Sequence, residues 1–128
     1  MRKFCLQILK LDNSLRFAGV LTTDGRFLAA EHRLGLTNIL LTPEEFQLAA
    51  MQSLIRLNMR MTMQEKLGRP ILSITGYEKV FGATMLIEEN ESKSIEESAL
   101  MVSIDKDCPD PWSLAVKRIL PVVKRTFS

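Results

Sequence analysis

Between Thr42 and Gly68 the chain carries a helical pattern with a marked start and a marked stop, and this segment limits the fold most tightly. Thr42 is placed to cap, Pro43 gives up nothing at the first helical position, and Glu45 can close a capping box three residues on. Gly68, followed by Arg69-Pro70, supplies the stop. The pattern predicts one helix of about 25 residues, on the order of 37 Å long. Wound at roughly 100° per residue, its apolar positions fall into two groups. Phe46, Ala49, Ala50, Leu54, Leu57 and Met61 share one side; Leu48, Met51, Ile55, Met59 and Met63 share the nearly opposite one.

A helix lying on a sheet needs a single apolar stripe, so the second has to be hidden some other way. The connection Arg33–Leu41 is rich in Leu34, Leu36, Ile39, Leu40 and Leu41, and it or the final helix could fold over the second stripe within one chain. Alternatively a second copy of the helix covers it, and the protein is a dimer. Five large side chains at roughly 1.5–3 kcal/mol each supply ample driving force in either case. Leu34, Leu36, Ile39 and Leu40 would not all stay in water together, which makes them candidates for a lid or a partner surface.

The remaining elements group around this rod. Arg2–Leu11 places Phe4, Ile8 and Leu11 on one helical face. Two apolar runs, Leu15–Thr22 and Arg26–Glu31, flank Thr23-Asp24-Gly25 and read as a hairpin. Ile71–Tyr77 and Val80–Ile87 read as strands joined through Glu78-Lys79, and Ala99–Ile104 as a fifth strand after a polar, mostly acidic loop over Glu88–Glu97. Asp110-Pro111 opens a last helix that Pro121 should kink or end. The order is α-β-β-α-β-β-β-α.

At 128 residues the chain is one domain, 1–128, with no repeat or composition break inside it. A hydrophobic share of 46% against 25% charged excludes disorder, and no apolar run approaches the roughly 20 residues that span a bilayer. The net charge of +2 is too weak a surplus to nominate nucleic acid or an anionic membrane as the main partner, and no membrane insertion is expected. With no signal-peptide core, a cytoplasmic setting is expected.

Chemistry is sparse. His32 has no Cys, Asp or His at ligand or triad spacing, and reads as a surface or capping residue. Cys5 and Cys108 stand apart, so neither a disulfide scaffold nor a zinc site is expected; Cys108, just before a helix start, has the setting of a sensitised thiol or of a simple buried one. Phosphate-loop, dinucleotide, nucleophile-elbow and zincin patterns are missing from the sequence. Asp105-Lys106-Asp107 reads as a turn, and the basic flank Lys117, Arg118, Lys124 and Arg125 as a solvated face or a site for an acidic partner. No enzyme activity, metal or cofactor is implied.

Two strings add a resemblance. Phe17-Ala18-Gly19-Val20-Leu21-Thr22-Thr23-Asp24-Gly25-Arg26-Phe27-Leu28-Ala29-Ala30 is similar to the opening hairpin of the roadblock/dynein light chain family. Leu100-Met101-Val102-Ser103-Ile104-Asp105-Lys106-Asp107 resembles that family's last strand and exit turn. The resemblance implies an α+β fold, a five-stranded antiparallel sheet with the long central helix on one face and the N- and C-terminal helices on the other. It implies a homodimer paired through the long helix and the strand after it, which here means Leu48, Met51, Ile55, Met59 and Met63 with Ile71, Leu72 and Ile74. It further implies a non-enzymatic regulatory or scaffolding module for a small Ras-like GTPase or a larger assembly. The other reading is a profilin-like or PAS-like ligand sensor, its apolar pocket lidded by Arg33–Leu41.

Overall fold

The computed structural model describes residues 1–87 and 98–127; the acidic loop expected over Glu88–Glu97 lies outside them. Its elements run α1 (Arg2–Leu9), β1 (Leu15–Thr22), β2 (Phe27–His32), α2 (Pro43–Arg60), β3 (Leu72–Gly76), β4 (Val80–Ile87), β5 (Ser98–Asp105) and a C-terminal helix in three segments from Pro111 to Thr126. The strands form one antiparallel sheet in the order β2-β1-β5-β4-β3. All eight residues of β1 are buried, as a central strand covered on both faces requires.

Alternation along the strands builds a core on each side. Ala18 and Val20 of β1, Ala83 and Met85 of β4, and Leu100, Val102 and Ile104 of β5 point to one face. There they meet Phe4, Cys5 and Ile8 of α1 and Leu114, Ala115, Ile119, Val122 and Val123 of the C-terminal helix. The opposite face is smaller: Leu21, Ala99 and Met101 pack with Ala50 and Leu54 of α2, edged by Phe27, Phe46, Ala49 and Leu86. The terminal helices thus lie on one side and α2 on the other, as the resemblance implied.

The Asp24-Gly25 turn forms as expected. Thr22 N–H reaches the Arg26 carbonyl at 2.9 Å, and Gly25 takes the positive φ of 81° that closes a short hairpin. At the next hairpin Tyr77 N–H donates to the Val80 carbonyl at 2.8 Å, with Glu78-Lys79 between them.

Two helices depart from the sequence expectation. The long helix is not continuous: α2 stops at Arg60, a 3₁₀ turn covers Met61–Met63, and one more α-turn, Gln64–Leu67, ends at Gly68 with φ 81°. The Thr62 hydroxyl donates to the Met59 carbonyl at 3.0 Å, and such local bonding competes with the helical ladder. Pro121, by contrast, does not end the last helix. The segment Leu114–Ile119 is π-helical and Leu120–Thr126 returns to α, with Pro121 in the first turn of that return. A proline there has no N–H to give, and the wider π turn ahead of it leaves its ring room.

Gly19 shows how closely the α2 side of the sheet is filled. A Cβ at this position would stand 2.7 Å from Cε1 of Phe27 and 2.9 Å from Cζ of Phe17. Phe17 cannot give way easily, because its ring stacks on Phe46 at 4.5 Å and meets Phe27 edge-on at 5.9 Å. Gly19→Ala is expected to destabilise the fold by about 1–3 kcal/mol. Urea unfolding followed by circular dichroism measures it; an unchanged midpoint would mean that the rings move aside freely.

Candidate interaction surface

The capping box at the start of α2 is complete: Glu45 N–H donates to the Thr42 hydroxyl at 3.2 Å and Thr42 N–H to a Glu45 carboxylate oxygen at 3.0 Å. This fixes the rotation of the helix, and Ala50, Leu54 and Leu57 turn inward. The second stripe then faces out. Leu48 is 58% exposed, Met51 44%, Ile55 55%, Met59 67% and Met63 59%. Among the described residues no element lies over it, and the β1–β2 turn touches it at one end, where a Cβ on Gly25 would stand 2.6 Å from Met51 Cγ. The C-terminal helix lies on the far face of the sheet, and Arg33–Leu41 stops at the N-terminal end of α2.

The strand after α2 behaves differently from its sequence expectation. Ile71, just before β3, is 51% exposed, but Leu72 and Ile74 turn to the terminal-helix side and pack on that core. Their side chains are therefore not part of the surface that the α2 stripe presents. Strand alternation gives the reason: with Ser73 and Thr75 on the α2 face, their neighbours must point the other way. What β3 does offer is its backbone edge, since it is the last strand of the sheet and pairs only with β4 among the described residues. A shallow depression of about 580 Å³ bordered by Met59, Met63 and Leu67 on one side and Arg69-Pro70 on the other links the stripe to the start of β3.

Beside α2 the sheet is partly bare. The helix packs on Leu21, Ala99 and Met101, and a groove of about 660 Å³ remains between its flank and β3–β4. Ser73, Thr75, Gly82 and Thr84 lie along its floor, with Phe46 and Ala49 among the residues of the helical wall. Leu40 and Leu41 close one end, so of the residues expected as a lid or partner surface only Leu40 borders the groove. Leu34 sits at the apex of a turn that Gly35 makes with φ 81°, and is fully exposed; Ile39 is 50% exposed and Leu36 half-buried.

An ion triad holds this connection in place. Arg16, the second residue of β1 with its side chain only 7% exposed, donates to Asp105 Oδ1 at 2.8 Å and to the Asn38 carbonyl at 2.7 Å. Arg33 donates to Asp105 Oδ2 at 2.8 Å and to the Asn13 carbonyl. Partial burial pushes the Asp105 carboxyl up, but hydrogen bonds and charge from Arg33 and Arg16 outweigh it and hold it below its ordinary range. Asp105 read as a turn residue in the sequence; nothing local announces a bond to a residue 89 positions away.

The remaining sequence candidates fall outside this surface. His32 does not sit free: its ring packs 5.2 Å from Phe17 and 5.4 Å from Phe46, and its buried Nδ1 has no hydrogen-bond partner among the described residues. Cys5 is fully buried, and burial pushes its thiol up. Cys108 is half-buried at the edge of the terminal-helix core. Lys106 donates to the Tyr77 carbonyl at 2.7 Å and lies 4.3 Å above the Phe81 ring, so the Asp105–Asp107 segment pins the β3–β4 turn as well. Among the described residues no helix is long and apolar enough to cross a membrane.

The triad makes a pH-dependent contribution to stability. Because the Asp105 pKa is lowered on folding, that contribution is whole above about pH 4 and is lost as the pH falls through the lowered value. Asp105→Asn, which leaves Arg16 buried beside a neutral partner, should cost about 2–4 kcal/mol at pH 7. Its unfolding free energy should approach that of the unmutated protein in acid. Denaturant titrations at pH 7 and pH 3 test both points, and a gap of constant size would show that Asp105 acts through packing alone.

No family model matches this sequence and no curated protein matches it; the likeness appears in the structure. The gliding protein MglB from Thermus thermophilus superimposes with a TM-score of 0.69 at 16% identity, over 98% of this chain and 86% of that one. An MglB solved in a tetrameric arrangement gives 0.67 at 16% identity, over 98% and 85%. A Roadblock/LC7 domain from Streptomyces avermitilis gives 0.59 at 10% identity, over 84% and 79%. With an antiparallel five-stranded sheet between α2 and the paired terminal helices, this chain has the roadblock fold.

Proposed function

We propose that the protein is a non-enzymatic regulatory or scaffolding module that works as a homodimer in the cytoplasm, with a small Ras-like GTPase or a larger signalling assembly as its partner. One observation carries this reading: Leu48, Met51, Ile55 and Met59 of α2 and Met63 of the 3₁₀ turn after it, each 44–67% exposed, lie along a single outward stripe. A chain in water does not leave such a row uncovered without a use for it. A two-fold contact lets one stripe cover its own copy, so a single sequence solves both halves of the interface. Met51, Met59 and Met63 suit such a surface because unbranched thioethers repack against whatever they meet. The depression between Met59, Met63, Leu67 and Pro70 extends the same surface to Ile71 and the open edge of β3. An MglB of this fold has been solved as a tetramer, which supports self-association as a use of the fold.

A second reading has its own observation. The groove of about 660 Å³ beside α2 falls within the usual range for small-molecule sites, and Leu40 and Leu41 close one end of it. A ligand-sensing domain would use it, and native mass spectrometry of the freshly purified protein would show a bound small molecule. The stripe favours the dimer, because a ligand in the groove would leave Ile55, Met59 and Met63 as exposed as before.

Light scattering should return twice the chain mass at micromolar concentration. Ile55→Glu, and separately Met51→Glu, should give folded monomers with unchanged circular dichroism, since a carboxylate on this stripe meets water in the monomer and apolar side chains in the dimer. An unmutated protein that remains monomeric at high micromolar concentration would overturn the reading.

A further inference from the structure

The modest net charge conceals a segregation that the fold makes visible. Residues 1–11 and 111–128 hold seven of the seventeen cations and none of the fifteen carboxylates, so the rest of the chain is acidic. These two stretches are the two terminal helices, and they form one layer. Phe4 of α1 meets Phe127 edge-on at 5.0 Å, and Arg118 of the C-terminal helix reaches Asp12 at 2.8 Å, so the helices run side by side in opposite directions. Their apolar positions face the sheet, while Arg2, Lys3, Lys10, Lys117, Arg118, Lys124 and Arg125 are all exposed on the other side.

Among the described residues few carboxylates face this layer, and Arg125 is already engaged. Glu31 of β2 pairs with Arg2, and Asp12 with Arg118. Asp110 caps the C-terminal helix through Ser113 N–H and feels Lys117 only through its charge. Lys3, Lys10 and Lys124 have no ion pair among the described residues. Trp112, 59% exposed, stands at the start of the same helix; an indole with one wet and one apolar edge is the side chain that settles at a lipid–water boundary.

We propose that this layer docks the protein onto an anionic phospholipid surface, lying flat on the headgroups without spanning the bilayer. Lysines spread over two adjacent helices match a fluid, planar array of phosphates and carboxylates, to which each cation near the surface adds roughly fivefold in partitioning. A nucleic acid asks for something else, a groove that tracks the backbone or rings on which bases stack, and the layer presents one exposed aromatic ring and shallow relief. The proposal concerns a single copy and does not rest on the α2 dimer, whose stripe lies on the opposite face of the sheet.

Sedimentation of the full chain with vesicles tests it. The protein should pellet with phosphatidylcholine vesicles in which about one lipid in three is phosphatidylserine, stay in solution with pure phosphatidylcholine, and be released by high salt as screening shortens the reach of the charges. Lys3→Glu, Lys10→Glu, Lys117→Glu and Lys124→Glu combined should lower partitioning tenfold or more, whereas Lys66→Glu with Lys79→Glu, exposed elsewhere, should leave it unchanged. If the fourfold variant unfolds, the pairs Lys3→Glu/Lys10→Glu and Lys117→Glu/Lys124→Glu should each lower partitioning by a smaller factor. Failure of the unmutated protein to bind, equal loss in the Lys66/Lys79 variant, or retention on a single-stranded RNA at a salt concentration that strips the vesicles would overturn the proposal.

Discussion

The pairing of β1 with β5 is the constraint from which the rest of the molecule follows. Both strands lie in the middle of the sheet and are buried on both faces, so each face has to be covered by something else in the chain. The terminal helices cover one and α2 the other. The same burial explains the Arg16–Asp105–Arg33 triad. A buried arginine near the start of a covered strand is costly unless its charge is met, and the end of the neighbouring strand supplies the carboxylate that meets it. Arg16 then has a donor left for the Asn38 carbonyl, which ties the apolar connection before α2 to the sheet.

The two coverings are unequal, and the inequality is where function enters. Two helices fill the terminal side well enough to bury Cys5, Ile8, Ala115 and Ile119 completely. One helix cannot do as much on the other side. It covers Leu21, Ala99 and Met101, leaves a groove over β3–β4, and keeps an apolar stripe turned to water. The chemistry of the faces differs in the same way. The α2 side is apolar and adaptable, suited to protein contact, while the terminal side is a packed layer with a cationic outer surface. If copies pair through their β3 edges, the continuous sheet sets both cationic layers on one side and both α2 helices on the other.

Segments with strong local signals are legible in the amino-acid sequence alone. The capping box at Thr42 and Glu45, the Asp24-Gly25 hairpin, the stop at Gly68 and the helix start at Asp110-Pro111 each depend on residues a few positions apart, and each forms as the spacing requires. The two stripes of α2 are legible for the same reason, since helical periodicity is a local property. Where a local signal meets a competing bond or a tolerant geometry, the outcome is less direct: the long helix is interrupted where Thr62 bonds back to the Met59 carbonyl, and a π turn lets the last helix run on past Pro121 rather than end there.

By itself, then, the sequence determined the elements, their order, and the fact that α2 has more apolar surface than one sheet can hide, because spacing along the chain dictates all three. Tertiary structure decided which surfaces are left over. It turned Leu72 and Ile74 inward, joined Asp105 to Arg16 across 89 positions, packed His32 against two phenylalanines, and laid two distant basic segments side by side. The physical reason is one of range: capping and periodicity act over a few residues, whereas burial and charge pairing are settled only when strands far apart in sequence become neighbours in the sheet.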